Sequence, residues 1–131
     1  MEFDVTFSGN QRVDAHIGNM TIHTDQPVAE GGDNTAPAPF LLFLASIGTC
    51  AGYYVMQFCR TRDISTDGIK IVQKVDRDRA TGVLRKIDLE IHVPPSFPEK
   101  YLKAVIKAAD HCAVKHTIQN PPAFETTVKV G

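Results

Sequence analysis

From Ala36 to Cys59 the chain carries no charged side chain, and this stretch constrains the fold more than any other. Its length is close to the ~20 apolar residues that cross a bilayer. However, Ser46, Gly48, Thr49, Gly52 and Gln57 interrupt it, and no second such run follows. The reading is therefore a buried helix and not a membrane span. Pro39 opens it, since a missing N–H costs nothing in a first helical turn, and it runs to about Arg62. Phe40, Phe43, Ile47, Tyr54, Val55 and Phe58 point in all directions around the axis. A helix apolar all round must be enclosed on all sides. One modest sheet and one further helix cannot do this, so the expectation is an intertwined or tightly packed homodimer. Gly48 and Gly52, one turn apart, with Ala45 would let another backbone come close.

The rest of the chain supplies strands and one amphipathic helix. Phe3, Val5 and Phe7 alternate with polar residues, as do Val13, Ala15 and Ile17, then Met20 and Ile22. Ser8-Gly9-Asn10 and Gly18-Asn19 fall between these runs as hairpin turns. Pro27 to Pro39 reads as a loop. A second hairpin pairs Ile69, Ile71 and Val75 with Val83, Ile87, Leu89, Ile91 and Val93, closing over 76–82. Ser96-Phe97-Pro98-Glu99 has a capping-box pattern. The helix it opens places Leu102, Val105, Ile106, Ala109 and Cys112 on one face. Asn120-Pro121-Pro122 stops that helix, and Phe124 to Val130 reads as a last strand. This order predicts an α+β fold with an antiparallel sheet, organised as one domain over residues 1–131.

Charge and composition narrow the function. With 14 basic and 15 acidic side chains the net charge is −1, and no basic run or arginine cluster supports nucleic-acid binding. The first residues lack the basic head and apolar stretch of a signal peptide, so a cytoplasmic protein is expected. Cys112 and His116 stand four apart. The other histidines supply no third ligand at metal-site spacing, so no metal and no cofactor is expected.

Three cysteines, Cys50, Cys59 and Cys112, are too few for a disulfide scaffold and read as structural or redox-active thiols. Cys59 follows Cys50 by nine positions, so it lies on the opposite helix face and about 13 Å along the axis. A disulfide needs Cα atoms within about 7 Å, and these two cannot pair. Cys50 and Cys112, each on a buried helix face, can meet. Inert burial of all three is the alternative. A reactive Cys50 needs its thiolate stabilised. It lies too deep in its helix for the N-terminal dipole to help, and Arg60 and Arg62 are too far along. Arg12 is a candidate cation from another segment, with an exposed turn residue as the competing reading.

The segment from Gly31-Gly32-Asp33-Asn34 through Pro39-Phe40-Leu41-Leu42 to Cys50 resembles the OsmC/Ohr family. So do Asp110-His111-Cys112-Ala113-Val114-Lys115-His116 and the closing Asn120-Pro121-Pro122. The resemblance implies a homodimer with two central helices and active sites at the subunit interface. It implies reduction of organic or hydrogen peroxides. Cys50 would attack the peroxide and become a sulfenic acid, and Cys112 would resolve it as a disulfide. A small dithiol or a protein reductant would restore the pair. Peroxidase members carry a Glu ten residues before the first cysteine, where it helps hold an arginine over the thiolate. Phe40 stands there in this chain, leaving Glu30 or Asp33 as substitutes and Arg12 as a loose match to the arginine. Ala113 follows the second cysteine where many members have Pro. The alternative is a non-peroxidatic dimer of the same fold that binds an apolar small molecule between its central helices.

Overall fold

The structure, a computed structural model, describes all of residues 1–131. The chain divides into two compact units, Met1–Ala45 and Ser46–Gly131. In the first, strands β1 (Asp4–Gly9), β2 (Arg12–Ile17) and β3 (Met20–Thr24) form an antiparallel sheet in the order β1-β2-β3. Val5 pairs with Ala15, and Ala15 in turn with Ile22. The expected turns are in place: Asn10 at φ 46° and Gly18 at φ 56° take the left-handed conformations a tight reversal needs.

The loop after β3 is organised around Asp25, which is fully buried. Its carboxylate accepts the Gln26 N–H (2.8 Å), the Thr35 N–H (3.0 Å) and the Thr35 hydroxyl (2.6 Å). Those bonds, the Thr35 hydroxyl first, hold its pKa down to about 2, so the buried carboxylate stays ionised and paired. Gly32 is required here because any Cβ would overlap the Gln26 carbonyl.

Helix α1 (Pro39–Arg60) crosses from the first unit into the second. It is long and apolar enough to cross a membrane by length and composition. Within the second unit, however, one of its faces is a protein core. Ala51, Val55, Phe58 and Cys59, spaced at helical period, are buried with Phe97, Val105 and Ala109. The cover is the antiparallel hairpin of β4 (Lys70–Arg77) and β5 (Leu84–His92), whose Ile71 and Leu89 pack against the cluster with Ile91 and Val93. Alternation puts these apolar side chains on one sheet face. Burying a residue such as Val105, 2% exposed, contributes about 1.5–3 kcal/mol.

Several expectations change. The antiparallel strands form two small sheets, of three and two strands. Gly48 and Gly52 admit side chains from β4 in the same chain. A Cβ on Gly48 would stand 2.5 Å from Gln73 Oε1, and one on Gly52 3.7 Å from Ile71 Cδ1. The capping box at Ser96 does not form. Phe97 is drawn into the core, and a 3-10 turn over Glu99–Tyr101 starts after Pro98 with no side-chain cap. The single second helix is two: α2 (Leu102–Ala109) and α3 (Ala113–Gln119). Residues 124–130 form no strand, because no sheet edge of the same chain pairs with them, and Phe124, Val128 and Val130 are exposed. The single chain covers one stripe of α1 and leaves Leu41, Phe43 and Tyr53 exposed.

Candidate active site

Cys50 sits in the fourth turn of α1, and Cys112 is the N-cap residue of α3. The sequence places Cys112 in the middle of a helix, in line with Val105. The helix instead ends short of it. The Asp110 N–H still reaches the Ile106 carbonyl (3.1 Å), but the His111 N–H bonds to Ala108 (3.1 Å), tightening the last turn. Cys112 then leaves the helix at φ −51°, ψ 118°, and α3 begins. An ion pair from Lys115 Nζ to Asp110 Oδ1 (3.0 Å) spans the break. Both side chains are exposed, so this pair adds at most about 1 kcal/mol.

The Cys112 sulfur is buried, 1% exposed, and bonded on two sides. Its thiol donates to the Ile47 carbonyl of α1 at 3.8 Å, and its sulfur accepts the Lys115 N–H at 3.4 Å. Ile47 is one turn before Cys50, so this anchor brings the start of α3 beside the second thiol. Cys50 is half-buried, and none of the three cysteines is in a disulfide. The Val114 N–H, the Cys112 thiol and the Ala113 N–H are the groups near its sulfur that favour the ionised form.

The three thiols therefore differ in acidity. The Val114 N–H, above all, pulls Cys50 below the ordinary thiol value of 9.0. Partial burial opposes it, and the Cys112 thiol and the Ala113 N–H reinforce it. Burial pushes Cys112 up; the Lys115 N–H works against this, and Cys50 alongside adds to it. Cys59 is also pushed up by burial, with the Arg62 charge a lesser opposing influence. It is a fully buried core residue. The local groups thus favour the thiolate at Cys50 and the neutral thiol at Cys112 and Cys59.

No arginine of the second unit takes part in this pattern of donors. Arg62 lies over the Phe58 ring, 3.7 Å from its centroid, and donates to the Phe58 carbonyl. In the first unit Arg12 is engaged by Asp33 at 2.7 Å, and Asn10 also donates to that carboxylate at 3.2 Å. Phe40 stacks on Phe43 with ring centroids 5.7 Å apart. Tyr54, one turn after Cys50, faces the His111 ring at 6.3 Å. Sequence reasoning missed Ala113 and Val114 because they act through backbone N–H groups, which leave no residue-type signature. The one trace was Asp110-His111, a pair of weak helix formers in an otherwise helical run.

A family model described as OsmC-like protein matches residues 31–127. The fold is similar to that of a Psychrobacter arcticus protein named for osmotic stress and detoxification response. The two share 23% identity and a TM-score of 0.72, over 88% of this chain and 85% of the other. An OsmC-like protein from Mycoplasma pneumoniae is similar at 21% identity and TM-score 0.64, over 92% and 89% of the two chains. An organic hydroperoxide resistance protein from Legionella pneumophila is similar at 16% identity and TM-score 0.57, over 91% and 90%. At these identities the likeness is one of fold. No curated protein matches the chain significantly.

Differential acidity has a direct readout. Iodoacetamide at neutral pH should label Cys50 and leave Cys59 and Cys112 unmodified, as read by peptide mass spectrometry. The Cys50 rate should rise with pH about a midpoint below 9.0. A midpoint above 9.0, or Cys112 labelled first, would contradict the assignment.

Proposed function

The chain belongs to the OsmC-like protein family, and from that membership and its contacting thiols we propose that it reduces organic or hydrogen peroxides in oxidative-stress defence. The observation that carries the reading is the Cys112 sulfur seated 3.8 Å from the Ile47 carbonyl, one turn before Cys50 on α1, with the Cys50 thiol shifted toward its ionised form. In the first step the Cys50 thiolate attacks a peroxide oxygen and the O–O bond breaks. The sulfur becomes a sulfenic acid, and the other oxygen leaves as an alcohol, or as water from hydrogen peroxide, after taking a proton. In the second step the Cys112 sulfur attacks the sulfenic sulfur. A disulfide forms, and the hydroxyl group departs as water with the proton Cys112 gives up. An external dithiol or protein reductant then supplies the two electrons that reopen the disulfide.

The acidity pattern suits both steps. Cys50 needs a populated thiolate at neutral pH, and Cys112 needs to remain protonated until the sulfenic acid exists. The organic hydroperoxide resistance protein of Legionella pneumophila, similar in fold, supports an organic hydroperoxide as the substrate class. Free thiols at the site fit a reducing, cytoplasmic compartment. The apolar-ligand alternative has a concavity between β5 and α2, lined by Leu89, Ile91, Leu102 and Ile106, but no cysteine lines it.

The same proposal includes a homodimer. Phe3, just before β1, and Val5 and Phe7 on it are 48%, 58% and 85% exposed, and Phe124, Val128 and Val130 are more exposed still on average. Apolar groups repeated along one segment mark an interaction surface. A second copy of the chain is the occupant expected from the apolar length of α1.

Two measurements check these statements. Reduced protein treated with one equivalent of cumene hydroperoxide should yield a Cys50–Cys112 disulfide by peptide mapping, with Cys59 still reduced. A crosslink through Cys59 would sink the mechanism. Sedimentation at micromolar concentration should show twice the 14.4 kDa chain mass; a stable folded monomer would remove the dimer.

A further inference from the structure

We propose that His111 is a further catalytic residue of this chain, the proton donor to the oxygen that leaves when the Cys50 sulfur attacks a hydroperoxide. The proposal rests on the peroxide-reducing reading and adds to it the source of the proton that the departing oxygen takes up. Two consecutive residues of the α2–α3 break touch α1, one on either side of Cys50. The Cys112 thiol reaches the Ile47 carbonyl at 3.8 Å, and the His111 ring stands against the Tyr54 ring with centroids 6.3 Å apart.

Helical geometry puts Cys50 between those two contacts. Ile47, Cys50 and Tyr54 fall within about 60° of one another around α1 and span about 10 Å of its length. The backbone holds His111 along that face: its N–H bonds to the Ala108 carbonyl at 3.1 Å, tightening the turn, and the anchored Cys112 follows directly. His111 is exposed, so its ring exchanges protons with water between turnovers. The titratable group packed against it from α1 is Tyr54. Its chain neighbours are already committed, Asp110 to Lys115 at 3.0 Å and the Cys112 thiol proton to the Ile47 carbonyl. An imidazole is the side chain best suited to give a proton near neutral pH.

The step balances as follows. The Cys50 thiolate takes the terminal peroxide oxygen together with its hydrogen, and the new S–O bond makes the sulfenic acid. The electron pair of the broken O–O bond goes to the other oxygen. His111, as the imidazolium, gives its proton there, so an alcohol departs and a neutral imidazole remains. Water then returns the proton to the ring. Without a donor the leaving group is an alkoxide, which is a poor one.

Oxidants with different leaving groups test the assignment. Cumene hydroperoxide releases an alkoxide that needs a proton, whereas peracetic acid releases a carboxylate that needs none. In His111→Gln the single-turnover loss of the Cys50 thiol with cumene hydroperoxide should slow roughly a hundredfold or more. The rates with peracetic acid and with iodoacetamide should stay at their wild-type values. His111→Phe keeps a ring against Tyr54 with no proton to give, and should show the same split. The wild type supplies a measurement that needs no substitution. Dividing its cumene hydroperoxide rate by its iodoacetamide rate cancels the ionisation of Cys50, and the ratio should fall as rising pH removes the imidazolium. Equal losses with both oxidants, no loss with cumene hydroperoxide, or a ratio flat with pH would overturn the proposal and leave the peroxide-reducing reading standing. A wild-type Cys50 that iodoacetamide labels but cumene hydroperoxide does not oxidise would remove that reading, and the proton donor with it.

Discussion

The buried sulfur of Cys112 is the point on which the site depends. It donates to a carbonyl of α1 and accepts an N–H of α3, tying the start of α3, just past the broken turn that ends α2, to α1. Sulfur forms weak hydrogen bonds, so neither alone would fix a helix start. Together, in a position 1% exposed to water, they have no solvent competitor and define where α3 begins. The approach of α3 to the Ile47–Cys50 turn of α1 follows from that start. The Cys112 thiol is thus a structural element, and its oxidation would alter the bonds that hold its own turn.

The three cysteines show which physical influence wins in each place. Cys59 is enclosed by the apolar cluster, and burial raises its pKa despite the charge of Arg62. At Cys112 the Lys115 N–H, and more weakly the Val114 N–H, favour the thiolate, and burial still prevails. Cys50 is less buried and receives two N–H donors and a thiol, so hydrogen bonding prevails. Burial penalises the charged form, whereas donors to the charged form favour it. One residue type therefore yields one thiol shifted toward its ionised form and two held toward the neutral form.

Much of this was legible in the sequence and some was not. The strand alternation of the first three runs and the 70–92 hairpin came through because period-2 patterning survives whichever partner covers the sheet. Pro39 marked the start of α1, and helical phasing separated Cys59 from Cys50. The break at Cys112 was hidden, because Leu102 to Ala109 and Ala113 to Gln119 both have helical composition and differ only in how the two turns are aimed. The Ser96 capping box failed because burial of Phe97 outweighed a local cap worth about 1 kcal/mol. The closing strand is not formed, because a strand requires a paired edge and residues 124–130 pair with none in the chain.

Trapping the first oxidised state tests the central claim, that Cys50 is the nucleophile and Cys112 its partner. A Cys112→Ser protein exposed to cumene hydroperoxide in the presence of dimedone cannot close the disulfide, so the sulfenic acid persists to be captured. The account predicts a single dimedone adduct, on Cys50, and none on any residue of Cys50→Ser. An adduct on Cys112 in Cys50→Ser, or no adduct on Cys50 in Cys112→Ser while hydroperoxide is consumed, would contradict it.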